Sequence, residues 1–271
     1  MKKIYYPLAC CLIGGILASC GGGAKKSNAT EEAVAPTTTA VSYSKSLKAP
    51  ETDSLNLPID ADGYITIFDG KSLDGWRGYG KDKVPSRWII EDGCLKFCGT
   101  GTGEGQTGEG GDLIFAHKFK NFELSVDWKT SKMGNSGIFY YVREVPGKPI
   151  YYAAPEVQVL DNVDATDNKL ANHLAGSLYD MLPADPKTVK PAGEWNTIVI
   201  KVKDGKVTHT QNGKKVVQYT LWSKEWDDMV ANSKFKDFQG FQEGISHEGY
   251  IGLQDHGYPI WFRNIKIREL K

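Results

Sequence analysis

Two short runs of this chain carry side chains able to move protons. One is Tyr152-Ala-Ala-Pro155-Glu156-Val-Gln158-Val-Leu-Asp161-Asn162; the other is Gly249-Tyr-Ile-Gly-Leu-Gln254-Asp255-His256-Gly257. Alternation along the first puts Glu156 and Gln158 on one face and Val157 and Val159 on the other. In the second, Gln254 and His256 share a face opposite Ile251 and Leu253, while Asp255 starts on the core side and orients the turn. A carboxylate and an imidazole suit general acid–base work near neutral pH. The amides add hydrogen bonds without charge. A groove lined by Glu156, Gln158, Gln254 and His256 would fit a ligand rich in hydroxyls, such as a sugar. Asp161 ends the first strand, and His173, Tyr179 and Asp180 follow in the next segment, so polar groups from neighbouring segments can converge. The alternative for both runs is a solvent-facing strand face and a polar turn, which spacing alone leaves open.

The elements that must hold these residues are strands. From Tyr64 onward the pattern has period two: Phe122, Leu124, Val126 and Trp128 alternate with polar residues, as do Ile198, Ile200 and Val202. Asp92-Gly93, Asp204-Gly205 and Asn212-Gly213 sit between such runs and favour the primed turns of antiparallel hairpins. They predict a hairpin from Trp88 to Phe97 and a three-strand meander from Asn196 to Tyr219. The closing run, Gly249 to Ile267, reads as two short strands meeting at a tight turn. One stretch is helical: Ser223 caps a run with Trp226, Met229 and Val230 at helical spacing, and 223–233 is expected as a surface insertion over a sheet edge. No α/β alternation occurs. The fold class is therefore all-β, a sandwich of two antiparallel sheets with one short helical insertion.

Lys and Arg total 33 and Asp and Glu total 33 in 271 residues, a balance with no basic footprint for nucleic acid. Lys2 and Lys3 precede an apolar stretch ending in Leu17-Ala-Ser-Cys20, which resembles the lipobox of a bacterial lipoprotein. The expectation is a signal peptide over 1–19, a lipid on Cys20 that ties the chain to a membrane, a flexible tether over 20–61 and one domain over 62–271. The segment 21–26 has no acidic residue, which favours a periplasm-facing outer-membrane anchor.

Three signals carry little. Gly103-Glu-Gly105-Gln-Thr-Gly108 matches a dinucleotide fingerprint, but a strand follows it rather than a helix. Its glycine-rich loop is expected as a mobile rim. Ser136 lacks the strand-to-helix elbow of a hydrolase nucleophile. Cys94 and Cys98 share one predicted strand, with Cα atoms about 13 Å apart, beyond disulfide reach; both are expected as buried free thiols. No cofactor is expected. A structural divalent cation on loop carboxylates such as Asp161 and Asp164 stays open, although no dedicated calcium loop is present. Of the many aromatic residues, including Trp76, Trp88, Tyr140, Tyr141, Tyr179, Trp195, Tyr258 and Trp261, some could stack on pyranose rings and most belong to a core.

Several motifs occur in a fixed order: Phe68-Asp-Gly-Lys-Ser-Leu-Asp-Gly-Trp76, Gly134-Asn-Ser-Gly-Ile-Phe139, Glu156 to Asn162, Gly176-Ser-Leu-Tyr179, Gly193-Glu-Trp-Asn196, Gly252-Leu-Gln-Asp-His-Gly257 and Phe262-Arg-Asn-Ile265. The set resembles the 3-keto-disaccharide hydrolase domain family over about residues 62–271. The resemblance implies a concanavalin A-like jelly roll, often on exported lipoproteins, and action on 3-keto-glycosides made by a separate sugar oxidoreductase. A ketone at C3 acidifies the C2 hydrogen, so a base can start a β-elimination that expels the C1 substituent; water added to the enone completes net hydrolysis. Glu156 or His256 would be the base. Asn135, Gln158 and Gln254 would hold hydroxyls, with Asp161, His173 and Tyr179 as further contacts, and Lys190 or Arg263 would polarise the ketone. Phe262 and Ile265 differ in parity, which implies a bulge and gives Arg263 a structural alternative. Ordinary glycosidases use two carboxylates; this strand offers one, because position 158 is an amide. The rival from another class is a non-catalytic glycan-binding lipoprotein.

Overall fold

The computed structural model describes residues 55, 57–101 and 109–271. The expected signal segment, Cys20, most of the tether and the 103–108 glycine-rich stretch lie outside these residues.

Among the described residues, thirteen strands form two antiparallel sheets. In the larger sheet, β11 (Lys214–Thr220), β10 (Lys206–Gln211), β9 (Asn196–Lys203), β6 (Phe122–Thr130), β13 (Ile260–Glu269), β4 (Cys94–Phe97) and β3 (Trp88–Glu91) lie side by side. Strand β1 (Ile65–Phe68) pairs with the far half of β13. The smaller sheet runs β2 (Trp76–Gly78), β5 (Leu113–Phe119), β12 (Gly249–Leu253), β7 (Asn135–Val142), β8 (Glu156–Leu160). Leu124, Val126, Ile198 and Ile200 from the first sheet meet Ile138, Val157, Val159, Ile251 and Leu253 from the second in one core. This is the expected jelly-roll-like sandwich.

The local turn chemistry explains the hairpins. Asp92 and Gly93, Asp204 and Gly205, and Asn212 and Gly213 all have positive φ, as a two-residue primed turn requires. The Trp88–Phe97 hairpin and the β9–β10–β11 meander follow from them. Helix α1 (Lys224–Ala231) is capped by the Ser223 hydroxyl, which accepts from the Trp226 N–H at 3.2 Å. Trp226 stacks on Tyr219 of the edge strand β11 at 5.7 Å. A second short helix, α2 (Gln239–Gln242), follows.

The closing hairpin is not one. Strand β12 belongs to the smaller sheet and pairs with β5 and β7, whereas β13 belongs to the larger sheet and pairs with β6 and β4. The 254–259 segment crosses from one sheet to the other. Alternation tells which face of a strand is buried, and both sheets bury one face in the same core, so period alone does not assign the sheet. The bulge in β13 is present: its register with β6 shifts between Arg263 and Lys266, and Asn264 has φ 50°. Cys94 is buried as expected, but Cys98 is half-exposed because it lies just past the end of β4; neither is in a disulfide.

Candidate functional site

A cavity of about 210 Å³ opens on the face of the smaller sheet that points away from the core. Strand β8 supplies its floor. Val157 and Val159 face inward, which turns Glu156 and Gln158 outward into the cavity. Strand β7 pairs with β8 so that Gly137 lies opposite Gln158 and Phe139 opposite Glu156. Gly137 has no positive φ; what it supplies is room. A Cβ there would come within 2.7 Å of the Glu156 carboxyl carbon, so the Glu156 side chain lies directly over the bare Cα.

Residues 176–179 run along the open edge of β8. The Gly176 N–H donates to the Gln158 carbonyl, the Gln158 N–H to the Ser177 carbonyl and the Tyr179 N–H to the Glu156 carbonyl. This added edge places Tyr179 beside Glu156. On the other side, the Gln254 N–H donates to the Gly137 carbonyl at 3.0 Å, which prolongs β12 and brings Gln254 to the cavity. Asn135 opens β7 and lines the same wall. Asn135 Oδ1 and Gln254 Oε1 are buried and have no hydrogen-bond partner among the described residues. Each is an acceptor that a bound hydroxyl can satisfy.

His256 lines the cavity from the crossover between the sheets. Its neighbour Asp255 is fully buried and fixes the turn. Asp255 Oδ2 accepts from the Gly111 N–H at 2.8 Å and Oδ1 from the Gly257 N–H at 2.9 Å. The Asp255 N–H donates to Asp112 Oδ1.

The remaining wall comes from residues with no periodic signal. Asp167, Tyr151, Lys234 and Phe238 all line the cavity, and none was singled out from the sequence. The Tyr151 and Phe238 rings lie 6.3 Å apart. Asp167 is held at both oxygens: Oδ1 lies 2.7 Å from His173 Nδ1, and Oδ2 accepts from the Tyr179 hydroxyl at 2.9 Å. The other ring nitrogen of His173 lies 2.8 Å from Asp180 Oδ1. Two contacts of this kind need two protons among the His173, Asp167 and Asp180 side chains. Burial, together with the charge and hydrogen bond of Asp167, pushes the Tyr179 hydroxyl well above its ordinary range, so it stays a phenol and donates.

The structure thus gathers Asn135, Glu156, Gln158, Tyr179, Gln254 and His256 around one cavity. Four other expected contacts lie elsewhere. Asp161 spends its oxygens on the Met133 and Val163 N–H groups and shapes the turn after β8. His173 stands behind Asp167 rather than at the cavity wall. Lys190 is exposed, and its backbone is tied to the Asn196 side chain. Arg263 lies on the larger sheet, its guanidinium 4.0 Å from the Trp195 ring centroid and Nε 3.5 Å from Asp127 Oδ2. It lies six residues beyond Gly257 in sequence but belongs to the other sheet. Trp76, Trp88, Tyr140 and Tyr141 are core residues. Among the described residues no group of three or more His, Cys, Asp or Glu side chains could hold a metal ion.

The profile of the 3-keto-alpha-glucoside-1,2-lyase-like domain matches residues 63–268. A Bacteroides thetaiotaomicron protein named 3-keto-disaccharide hydrolase is 57% identical over the whole of both chains. Two solved structures of candidate glycosyl hydrolases from Parabacteroides distasonis are each 30% identical. The first covers 78% of this chain and 95% of its own at a TM-score of 0.69. The second covers 76% and 99% at 0.60. On that match over residues 63–268 and the 57% identity, the chain belongs to the 3-keto-alpha-glucoside-1,2-lyase-like domain family.

Proposed function

We propose that this chain cleaves the glycosidic bond of 3-keto-glycosides, by elimination across C1 and C2 followed by addition of water. That it is a carbohydrate-cleaving enzyme rests on the family and on the 57% identical hydrolase. The finer reading is carried by one observation: a carboxylate and an imidazole, Glu156 and His256, line a single small cavity beside two amides, Asn135 and Gln254, whose acceptors are unfilled. The base, Glu156 or His256, takes the C2 proton. The C2–H electron pair forms an enolate with C3, then collapses to a C1=C2 bond as the C1 oxygen departs. The departing oxygen takes up the proton that the base removed and leaves as the alcohol; water then adds its hydroxyl to C1 and its proton to C2, giving the free keto sugar. A lyase half-reaction and a net hydrolysis are then two stages of one sequence.

The cavity does hold a second carboxylate, as a glycosidase acting by opposed acids would need. Asp167 is engaged at both oxygens, which suits an anchored acceptor for sugar hydroxyls better than a group that must gain and lose a proton. At about 210 Å³ the cavity is smaller than pockets for drug-sized ligands, and it suits one sugar ring with the leaving group outside. Tyr151 and Phe238 offer that ring an apolar wall.

The test pairs a 3-keto-glucoside with the unoxidised glucoside of the same aglycone. Aglycone release from the keto sugar alone, with deuterium from heavy water appearing at C2, is the expected result. Equal release from both sugars would favour the two-carboxylate route, and saturable binding without turnover would favour a glycan binder. Two further proposals follow from the chain's N-terminus and chemistry. A lipid on Cys20 anchors it to the cell envelope, facing the periplasm, and Cys20→Ser should move it to the soluble fraction. A separate oxidoreductase acting at C3 must supply the ketone; without it, added disaccharide should remain uncleaved.

A further inference from the structure

We propose that Lys234 is the group that reads the ketone: its ammonium polarises the C3 carbonyl and holds the enolate oxygen, and so selects keto sugars over their alcohols. The inference deepens the reaction proposed above and rests on it. Lys234 is the cationic side chain in the cavity lining. Its ammonium lies on aromatic rings rather than on a carboxylate among the described residues: 4.2 Å from the Tyr179 centroid, 5.3 Å from Phe235 and 5.6 Å from Tyr151. Ring faces hold a cation by their quadrupole while leaving its N–H groups able to donate elsewhere.

The backbone beneath this side chain is fixed from two directions. The Lys234 N–H donates to Asp180 Oδ2 at 2.6 Å, and Asp180 is in turn bound to His173. Ser233 caps the short 3-10 turn Lys234–Asp237 by accepting from the Phe235 N–H. Asp180 and His173 are thus positioning residues for Lys234, and through Asp167 they tie it to the opposite end of the same wall.

The electron count needs no co-reactant. As the base removes the C2 proton, the carbonyl pair moves onto oxygen beside the ammonium; as the C1 oxygen leaves, the pair returns. Lys234 keeps its protons throughout. A donor preplaced where negative charge develops is worth roughly 10²–10³ in turnover. An alcohol at C3 develops no such charge, which is the source of the selectivity.

The experiment uses the full-length protein and a chromogenic 3-keto-glucoside, with Lys234→Gln and Lys234→Arg, each checked by thermal melting. Lys234→Gln should lower kcat roughly 100-fold and lose the preference for binding keto sugar over glucoside, while Lys234→Arg keeps most of both. Folded Lys234→Gln with wild-type turnover and wild-type preference overturns the assignment. So does inactivation of the wild type by borohydride during turnover with the substrate attached, because that marks a covalent imine instead of a charge. A wild type that releases no aglycone sinks the proposed reaction itself, whereas wild-type turnover with an unaffected Lys234→Gln sinks only the role of Lys234.

Discussion

The side chain of Glu156 lies over the bare Cα of Gly137 on the neighbouring strand, where a Cβ would stand 2.7 Å from its carboxyl carbon and 2.9 Å from its Cγ. Both atoms belong to the cavity floor, so the clash falls on the carboxylate and not on the sheet. Gly137→Ala should leave the fold intact and push Glu156 aside. A displacement of about 1 Å at a reacting group costs on the order of 100-fold. The check is kcat on a 3-keto-glucoside beside the melting temperature; a full-rate, stable Gly137→Ala shows that Glu156 need not stand where it does.

Glu156→Gln keeps the shape and removes the proton acceptor, and His256→Ala removes the imidazole. General acid–base groups contribute about 10²–10⁴-fold. One of the two variants should fall by that much in turnover with little change in melting temperature. If both keep wild-type rates, neither is the base.

His173 acts on the cavity through Asp167, Asp180 and its ring contact with Tyr179 at 4.5 Å. His173→Phe should loosen Asp167, and the loss should appear mainly as a KM raised about tenfold, the pattern of lost uniform binding. Asp167→Asn should share that effect, since it weakens the same acceptor. Steady-state kinetics on the keto-glucoside separate the two constants, and an unchanged KM in both variants removes Asp167 from substrate binding.

His209 is fully buried between the sheets, with Nδ1 3.2 Å from the Gly176 carbonyl, and desolvation holds its pKa down at about 4 against an ordinary 6.5. Between those values the unfolded chain binds a proton that the folded one refuses. The contribution is therefore fully present above pH 6.5 and is lost progressively as pH falls towards 4, amounting to about 3 kcal/mol. Urea unfolding at pH 7.5 and pH 4.5 should show this loss. His209→Phe should flatten the slope over that window, and an unaltered slope assigns the acid sensitivity to other groups.

Asp255 is buried and accepts from two backbone N–H groups, those of Gly111 and Gly257. Asp255→Ala leaves both donors without their acceptor and should cost about 3 kcal/mol. It should also lower turnover, because the turn it closes carries His256. Denaturant midpoints and kcat measured together test both consequences; stability kept with turnover lost would mean that the carboxylate serves the reaction directly.

The strands were legible because burial on one face enforces period two, and the Asp-Gly and Asn-Gly pairs marked where the meander turned. That same alternation put Glu156 and Gln158 on one face of β8. It also placed Gln254 and His256 on the cavity side, since the crossover keeps the phase of β12 for three residues. It could not show that β13 leaves for the other sheet, and so it left Arg263 open between the ketone and the structural role at the bulge. Asp167 and Lys234 escaped for a different reason. They lie in irregular segments whose path is set by contacts with distant parts, such as the bond from the Lys234 N–H to Asp180. No local spacing encodes such a bond.

The cavity has a sheet floor and an irregular rim. Glu156, Gln158 and Asn135 are locked at strand spacing by the hydrogen bonds of β7 and β8, whereas Asp167 hangs from a segment free to change length without breaking a ladder. Such a layout separates bond-breaking from ligand choice in the currency of sequence change. Insertions between 161 and 175 can retarget the domain to other sugars and leaving groups while the proton-moving floor stays where it is. Divergent members are then expected to agree in β7 and β8 and to differ at the rim.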